Sequence, residues 1–421
     1  MSNNLRITDI ERITLHVPFT PRTQRWNALL VWQWQVVELM RVTTDAGLVG
    51  YGETLPHYTW GRVPEDAPTE LIGKNPVEFL GDDTLGAGLQ MALYDLVGKA
   101  LDVPVHRLLN LPQVRSWCPI AWWNTKMGPE DLAGEAEDAL AQGYTAHKFK
   151  ARPWIDVYAQ VEAISAVTPP HYKLDLDWNS MLLNVGNATP VLQKLDTYER
   201  VSIYEGPIPQ RDVEGLRELR RKVAHPIALH FGQPEFPTAT REAICDGFVI
   251  GGGVSAVLRR GALAAEFEKP FWLQLVGTGR ITALAAHLGA VLPFAQWPAI
   301  TCLNNYSDDL LVEPLTVQGG YLQVPAGPGL GVEVDEAAIA RYRMEPPYEL
   351  PQPRHILSVV WPSGLVVHFA NMRDHAWPAF LAGNYPVQEP GVQLKIWDDD
   401  GSSEWRDLYA RVQQGPVHDQ R

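Results

Sequence analysis

The chain has 421 residues, of which 46% are hydrophobic and 20% charged, and its formal net charge is −14. This composition is typical of a globular protein, and the length allows two domains and a large core. The acidic balance excludes a general nucleic-acid binder, which needs clustered Lys and Arg, but it leaves room for a local basic pocket that binds an anionic substrate.

The N-terminal part predicts a small α+β domain. Residues 5–17, 35–44 and 47–53 have the alternation of β-strands, and Asp45-Ala46-Gly47 is a hairpin signal between the last two. Residues 85–101 carry apolar side chains at helical spacing. An antiparallel sheet followed by a helix indicates a separate capping domain over residues 1–115.

From residue 116 to 345 short apolar strands alternate with helices. Strand candidates lie near residues 118, 147, 174, 203, 228, 249, 272 and 300, and helix candidates span 129–142, 155–167, 188–198, 212–224, 237–245, 253–267 and 279–291. Buried parallel strands are short and apolar, and eight such units are the number that closes a (β/α)-barrel. The fold class predicted here is therefore α/β, with a TIM-like barrel as the second domain.

The tail after residue 345 has a different sequence pattern. Prolines follow residue 345 closely, and strand patterns recur at 355–361, 364–369 and 392–397. Residues 346–421 are therefore predicted to form a small β-rich extension.

Three cysteines, Cys118, Cys245 and Cys302, are too few and too widely spaced for a disulfide framework or a CxxC metal site. No signal-like segment follows the polar start at residues 1–6, and glutamines interrupt the most apolar stretch, 26–40. These features predict buried thiols, no membrane partner and a cytoplasmic location.

Four polar residues recur at intervals of 27, 28 and 25 in the central part: Lys150, Asp177, Glu205 and His230. Each ends a short apolar run, and one βαβ unit takes roughly 25–30 residues. The carboxyl ends of successive parallel strands meet at one mouth, where a barrel keeps its chemistry. The spacing thus predicts a base, two carboxylates and an imidazole that face one another.

These residues stand in motifs that resemble the enolase superfamily, in its mandelate racemase and muconate lactonizing group, over roughly residues 5–345. The motifs are Ala92-Leu93-Tyr94-Asp95-Leu96 with Gly98-Lys99-Ala100 and Pro104, Lys148-Phe149-Lys150, Asp177-Trp178-Asn179, Glu205-Gly206-Pro207, and Pro328-Gly329-Leu330-Gly331-Val332. The resemblance implies a Mg²⁺ ion that binds a substrate carboxylate while a side chain removes the adjacent α-proton to give an enolate. Members of the family are often homo-oligomers, so the resemblance also suggests a homo-oligomer.

Carried over by position, Lys150 matches the general base, and Lys148 matches the residue that lowers its pKa and contacts the carboxylate. Asp177 and Glu205 match the first two metal ligands. Strand alternation offers an independent check, because Lys148 and Lys150 should share a face and both point into the barrel. The alternative is an ordinary strand end with two solvated lysines.

The chain departs from the family pattern at the third ligand. The fifth strand reads Ile227-Ala228-Leu229-His230-Phe231-Gly232, so His230 or Phe231 takes the place of an acid. An imidazole would weaken Mg²⁺ binding and favour Mn²⁺ or another divalent ion. His230 is thus a candidate ligand or catalytic acid, with a purely structural histidine as the equal alternative.

A second base is also absent from the pattern. The sixth strand ends in Gly251-Gly252-Gly253, and Gln274 stands where the seventh strand of many members has a histidine. A two-base racemization is therefore disfavoured, whereas a one-base elimination or epimerization stays open. The glycines before a helix are either an anion cradle or a site of tight packing.

The family's specificity loops correspond to about residues 18–34 and 54–66, which include Trp26, Trp32, Trp34 and Trp60. Their rings either line a substrate pocket or pack in the core. Taken together, the sequence favours a metal-dependent lyase or isomerase acting on a small carboxylate, such as a sugar acid. The alternative is a catalytically degenerate homologue that binds a ligand or a partner.

Overall fold

The computed structural model describes residues 5–58 and 61–419. The strands are β1 (Ile7–His16), β2 (Val36–Thr44), β3 (Val49–Thr54), β4 (Trp117–Pro119), β5 (Trp122–Asn124), β6 (Ala146–Lys150), β7 (Lys173–Asp177), β8 (Val201–Glu205), β9 (Ile227–His230), β10 (Gly247–Ile250), β11 (Phe271–Leu273), β12 (Val317–Gln318), β13 (Tyr321–Gln323), β14 (Arg343–Met344), β15 (His355–Val360), β16 (Val366–Phe369), β17 (Gln393–Asp398) and β18 (Val417–His418).

The helices are α1 (Pro21–Asn27), α2 (Ala67–Leu71), α3 (Ala87–Leu101), α4 (Val105–Leu108), α5 (Pro129–Ala141), α6 (Val157–Val167), α7 (Val185–Leu195), α8 (Val213–Arg220), α9 (Phe236–Arg241), α10 (Val254–Glu266), α11 (Gly279–Val291), α12 (Glu336–Tyr342), α13 (Trp377–Leu381) and α14 (Ser403–Val412). Short 3₁₀ segments lie at Trp32–Gln35, Pro76–Phe79, Asp83–Leu85 and Leu303–Asn305, and a π-helical turn at Met372–Ala376 precedes α13.

The chain forms two compact units. The first comprises the residues up to Thr20, Gln33–Trp123 and Phe248–Leu350, and the second comprises Pro21–Trp32, Asn124–Gly247 and the residues from Pro351 onward. Each unit thus draws on distant parts of the sequence. The three-segment division expected from the sequence, with boundaries at 115 and 345, stays a prediction.

The N-terminal part of the first unit is an antiparallel sheet in the order β14-β1-β2-β3, against which α3 packs. Two glycines of β3 let the helix approach the strand closely. A Cβ atom at Gly50 would lie 2.3 Å from the carbonyl oxygen of Ala92, and one at Gly52 would lie 2.0 Å from that of Gly88. Sheet and helix together confirm the predicted α+β arrangement of this segment.

The second unit contains parallel strands in the order β9-β8-β7-β6, each followed along the chain by a helix. The register pairs Lys150 with Asp177 and Asp177 with Glu205, while β9 pairs Ala228 with Glu205. His230 therefore stands two residues beyond that last pair. The register brings all four ends of these strands to one edge, as the repeated spacing predicts.

The first unit contributes β10 and β11, which pair in parallel. The strand expected near residue 300 is reduced to single parallel bridges, which join Ile300 to Gln274 and Ala299 to Ile120. Alternation of parallel strands with helices in both units confirms the α/β class and seven of the predicted helix positions.

The tail has its own sheet, in the order β17-β15-β16-β18, and this confirms the β-rich extension. The sequence prediction missed two helices here, α13 and α14, and α14 places Trp405 and Val412 in a core with Ile356. Ser402 begins the helix, because its side chain accepts a hydrogen bond from the backbone N–H of Trp405 at 3.0 Å. Asp399 and Asp400 therefore lead from β17 towards α14.

Two chain-wide expectations concern thiols and membranes. Within residues 5–58 and 61–419, the three cysteines are buried and form no disulfide, as predicted. No helix in the same ranges is long and apolar enough to cross a membrane.

Candidate active site

The structure brings the five predicted side chains together at the carboxyl ends of the strands of the second unit. The Lys148 Nζ forms an ion pair with Glu205 and lies 3.6 Å from the Asp177 Oδ2. Lys150 donates a hydrogen bond to the same oxygen of Asp177. The His230 Nε2 lies 3.0 Å from the Glu205 Oε1. One cluster of two amines, two carboxylates and an imidazole results.

The side chains of this cluster differ in their exposure to solvent. The side chains of Lys148 and Asp177 are 0% exposed, whereas those of Lys150 and His230 are 20% and 35% exposed. Lys148 and Lys150 share the inward face, as alternation along β6 predicts. A ligand entering from the mouth thus meets Lys150 and His230 first.

The environment separates the two lysines in basicity. Burial alone would lower the pKa of Lys148, but the charges of Glu205 and Asp177 outweigh it and raise the pKa above the ordinary lysine value. Burial also lowers the pKa of Lys150, and the charges of Lys148 and Arg152 add to this against the opposing carboxylates. The cluster therefore favours a charged Lys148 below an amine that gives up its proton more readily.

The carboxylate of Glu205 is stabilised in its charged form. Burial would raise its pKa, but the ammonium of Lys148 and the hydrogen bond from His230 lower it well below the ordinary value. Glu205 is thus the counter-ion of Lys148 rather than a proton carrier.

Sequence reasoning missed Arg152, although it continues the i, i+2 alternation of Lys148 and Lys150. Its Nη1 donates to the carbonyl oxygens of Ala151 and Asp177 at 2.6 and 2.8 Å, and its Nη2 donates to the Asn179 Oδ1. The guanidinium lies 4.9 Å from the centre of the Trp377 ring, a residue of the tail. Arg152 therefore fixes the loop after β6 against the end of β7.

Asp175 is a second residue that the alternation predicts but the motifs do not. It lies two positions before Asp177 on β7 and is buried, and its Oδ1 has no hydrogen-bond partner. Burial raises the pKa of Asp175 to about 7, with the charge of Glu205 adding to the effect. Asp175 is thus protonated to a much greater extent at neutral pH than an exposed aspartate would be.

The donor set can be compared with what a divalent ion requires. In the described part of the chain, no group of three or more His, Cys, Asp or Glu side chains is arranged to hold an ion. Asp177 and Glu205 still supply two carboxylates at adjacent strand ends, and Mg²⁺ is commonly held by one or two carboxylates with water completing its shell. The two carboxylates therefore fit a weakly held ion, while His230 contacts Glu205 and its ligand role stays a prediction.

The sequence predicts a glutamine in place of a histidine base in the first unit. Gln274 at the end of β11 donates from its Nε2 to the hydroxyl of Tyr58 at 3.0 Å. A glutamine amide does not titrate and cannot serve as a base. Gln274 therefore supplies no titratable group at this strand end, and the absence of a second base stays a prediction.

The glycines before α10 do not form an open anion cradle. Asp83 accepts hydrogen bonds from the backbone N–H groups of Ser255 and Ala256 at 2.9 and 2.7 Å, and Gln90 accepts one from Val254 at 2.9 Å. A Cβ atom at Gly253 would lie 2.5 Å from the Asp83 carboxylate. The helix N-terminus is occupied by side chains of the chain itself, so the tight-packing alternative is correct.

The tryptophans of the two predicted loops serve mainly as packing residues where they are described. Trp26 is buried and donates from its Nε1 to Asp131 at 2.6 Å. Trp32 is buried beneath the guanidinium of Arg373. Trp34 contacts the ring of Tyr58 edge-on. Trp60 lies outside the described residues.

Comparison with known proteins adds a family assignment to this geometry. Residues 131–338 match the family described as enolase C-terminal domain-like. A mandelate racemase/muconate lactonizing family protein from Azoarcus sp. has a solved structure that superposes with a TM-score of 0.65 at 25% identity, covering 81% of this chain and 98% of that one. The matched segment, residues 131–338, belongs to the enolase superfamily. The barrel with its capping domain and β-rich tail, predicted from the sequence, is confirmed by this likeness.

Two curated relatives are similar to this chain over most of its length. D-gluconate dehydratase of Thermoproteus tenax is 26% identical, with 81% of this chain and 74% of the relative covered. D-xylonate dehydratase of Haloferax volcanii is 25% identical, with 73% and 85% covered. Both relatives are enzymes, and this similarity supports an enzyme of the lyase or isomerase type.

Proposed function

We propose that the protein removes the α-proton of a small sugar acid and eliminates the adjacent hydroxyl as water, a lyase reaction. The observation that carries the proposal is the position of the Lys150 amine. It is partly exposed at the carboxyl ends of the strands and lies next to the buried ion pairs of Lys148, Asp177 and Glu205. Sugar-acid dehydratases among its relatives support this choice of substrate class over other carboxylates.

Lys150 takes the proton from C2 of the acid. Its amine is partly exposed and hydrogen-bonded to Asp177, so its position is fixed while one side faces the mouth. The lowered pKa of Lys150 increases the fraction of neutral amine at neutral pH, which is the form that accepts a proton.

Lys148 keeps a permanent positive charge beneath the base. It is fully buried between Glu205 and Asp177, and its raised pKa keeps it protonated. A fixed charge in a site shielded from water stabilises the negative charge that develops on the substrate as C–H breaks. A divalent ion held by Asp177 and Glu205 would supply further stabilisation of the same charge as a Lewis acid.

His230 completes the elimination in this proposal. Its imidazole is half-exposed at the rim and is held by Glu205. The C2 proton goes to Lys150, the electron pair forms the C2–C3 double bond, and the C3 hydroxyl leaves with a proton from His230 as water. The resulting enol tautomerises to a 2-keto-3-deoxy acid.

The test is turnover of D-gluconate, D-xylonate and D-galactonate with Mg²⁺ or Mn²⁺, followed by keto-acid formation and by exchange of the C2 proton in D₂O. We expect at least one acid to give both signals. Its 3-deoxy analogue should exchange the C2 proton without elimination, because it lacks the leaving group. Absence of exchange and product with all three acids would contradict the proposal.

Such a result would favour a homologue that binds anions without turnover. Two observations support this second candidate: both carboxylates are already paired with lysines, and Gln274 stands at a strand end where a base is expected. The two candidates separate if these acids raise the melting temperature without any exchange of the C2 proton.

The metal role makes a further prediction. Mg²⁺ or Mn²⁺ added to chelator-treated protein should raise the melting temperature, since any ligand of the native state stabilises it. Asp177→Asn should remove the rise, whereas Asp175→Asn, two positions away on the same strand, should retain it. Equal rises in all three proteins would contradict ion binding at Asp177.

A further inference from the structure

The tail contacts the loop that follows β6, the strand that ends at Lys150. Both parts belong to the second compact unit. The loop, residues 151–156, leads from β6 into α6, and three of its residues contact the tail: Arg152, Trp154 and Asp156. The tail lies beyond the segment that matches the family, residues 131–338, so the family match does not account for these contacts.

The first contact places an aromatic ring against a guanidinium. The Arg152 Cζ lies 4.9 Å from the centre of the ring of Trp377, the first residue of α13. Such a contact is attractive because the face of an indole ring carries partial negative charge. Arg152 is buried, and its Nη1 donates to the carbonyl oxygen of Asp177 at 2.8 Å. Trp377 therefore contacts the side chain that links the loop after β6 to the end of β7.

The second contact involves Trp154, which is fully buried. Its ring centre lies 4.9 Å from that of Phe380 and 6.3 Å from that of Trp377, both in α13. Phe380 in turn packs against Trp361, which follows β15, and Phe369, which ends β16, at 6.1 and 6.3 Å. The helix α13 thus connects the tail sheet to the loop.

The third contact is made by Asp156 through hydrogen bonds. Its backbone N–H donates to the carbonyl oxygen of Val392 at 3.1 Å, and its Oδ2 accepts from the backbone N–H of Gly391 at 2.7 Å. Its Oδ1 accepts from the backbone N–H groups of Tyr158 and Ala159, which caps α6. Asp156 therefore joins the end of the loop to the part of the tail that leads into β17.

We propose that the tail positions the loop after β6, and with it Lys150 and Asp177, and that Trp377 is the positioning residue for Arg152. This inference rests on the proposed function, because the loop begins next to Lys150 and Arg152 binds the main chain of Asp177. A misplacement of about 1 Å in a reacting group can lower a rate by about 10²-fold. Catalytic side chains therefore need supporting contacts that fix their positions.

Amide hydrogen exchange of the full chain tests this contact without any turnover. Three amides of the loop donate to main-chain carbonyls and report on its position: those of Ala151, Ile155 and Asp156. We expect Trp377→Leu to speed their exchange by about tenfold or more, because the loop opens more often. Trp377→Phe keeps an aromatic face for the guanidinium and should stay within about threefold of the wild type. Equal rates in wild-type and Trp377→Leu protein would overturn the proposal.

Tyr409 provides a matched control within the tail. Its ring centre also lies 4.9 Å from a guanidinium, that of Arg354, which stands just before β15. Tyr409 and Trp377 are both partly exposed, so replacement of either by leucine should leave the chain folded. Tyr409→Leu should retain the wild-type exchange rates in the loop. Equally fast loop exchange in both leucine variants would assign the effect to general destabilisation of the tail and refute the role of Trp377.

Kinetics connect the position of the loop to the reaction. With an acid that the wild-type protein turns over, Trp377→Leu should lower kcat for C2 proton exchange by about tenfold or more. KM should stay within about threefold, because the displaced group is the base. Trp377→Phe should restore most of kcat, and Tyr409→Leu should retain it. An unchanged kcat in Trp377→Leu, or an equal fall in Tyr409→Leu, would refute the positioning role.

The two measurements separate this inference from the proposed reaction. Faster loop exchange in Trp377→Leu, with no turnover of any acid by the wild-type protein, would support the positioning of the loop by Trp377 and contradict the reaction. Turnover by the wild-type protein, with equal loop exchange and equal kcat in Trp377→Leu, would support the reaction and refute the role of the tail.

Discussion

Replacement of Lys150 by methionine is expected to lower the rate of C2 proton exchange by roughly 10²- to 10⁴-fold, the usual contribution of a general base. Methionine keeps the length of the side chain but cannot accept a proton. Asp177 loses the hydrogen bond from Lys150 and retains Lys148 at 3.6 Å, so a charged partner remains near it. The measurement is exchange in D₂O, followed by NMR, with an acid that the wild-type protein turns over.

Two variants make this result specific. Lys150→Arg keeps a positive charge at the mouth, but a guanidinium stays protonated, so it should be as inactive as Lys150→Met. Lys173→Met removes an exposed lysine from the start of the strand that ends at Asp177 and should retain full exchange. If Lys150→Arg kept more than about a tenth of the wild-type rate, the residue would act through its charge and not as a base.

The positions of the site residues were predictable from the sequence because two periodicities agree. The repeat of 25 to 28 residues places Lys150, Asp177, Glu205 and His230 at successive strand ends, and alternation turns Lys148 inward with Lys150. The pairing of the ions was not predictable. It depends on a register that sets Lys150 beside Asp177, and on rotamers that bring Lys148 to Glu205.

Other residues show why some sequence patterns predict structure less well. Arg152 continues the alternation of Lys148 and Lys150, but it lies two residues beyond the end of β6, where alternation no longer fixes the direction of a side chain. Lys126 is a buried lysine in the loop after β5, a strand of only three residues, where no periodicity assigns a direction to a side chain. The helix α14 has Trp405, Tyr409 and Val412 at helical spacing, yet the preceding aspartates resemble a turn. Local patterns thus failed where an element is short or begins with turn-forming residues.

Loss of the Lys148 ammonium should destabilise the protein by about 3–5 kcal/mol, the usual effect of removing one partner of a buried pair. Lys148→Met leaves the Glu205 carboxylate fully buried with only the His230 hydrogen bond, and the pair is 0% and 2% exposed. The double variant Lys148→Met/Glu205→Gln should recover part of the loss, because no unpaired charge remains. Urea unfolding in chelator-containing buffer gives the four free energies of this cycle.

The matched control is the pair Lys222 and Glu218, which lies four residues apart on the surface at the end of α8 with side chains 40% and 57% exposed. Its cycle, with Lys222→Met and Glu218→Gln, should give a coupling energy below about 1 kcal/mol, because solvent screens exposed pairs. The buried cycle should exceed it by about 2 kcal/mol or more, since a double-mutant cycle isolates the pairwise interaction. A buried coupling no larger than the surface value would mean that Lys148 does not neutralise Glu205. The buried Lys148–Glu205 ion pair next to Lys150, on which the proposed proton transfer depends, would then be absent.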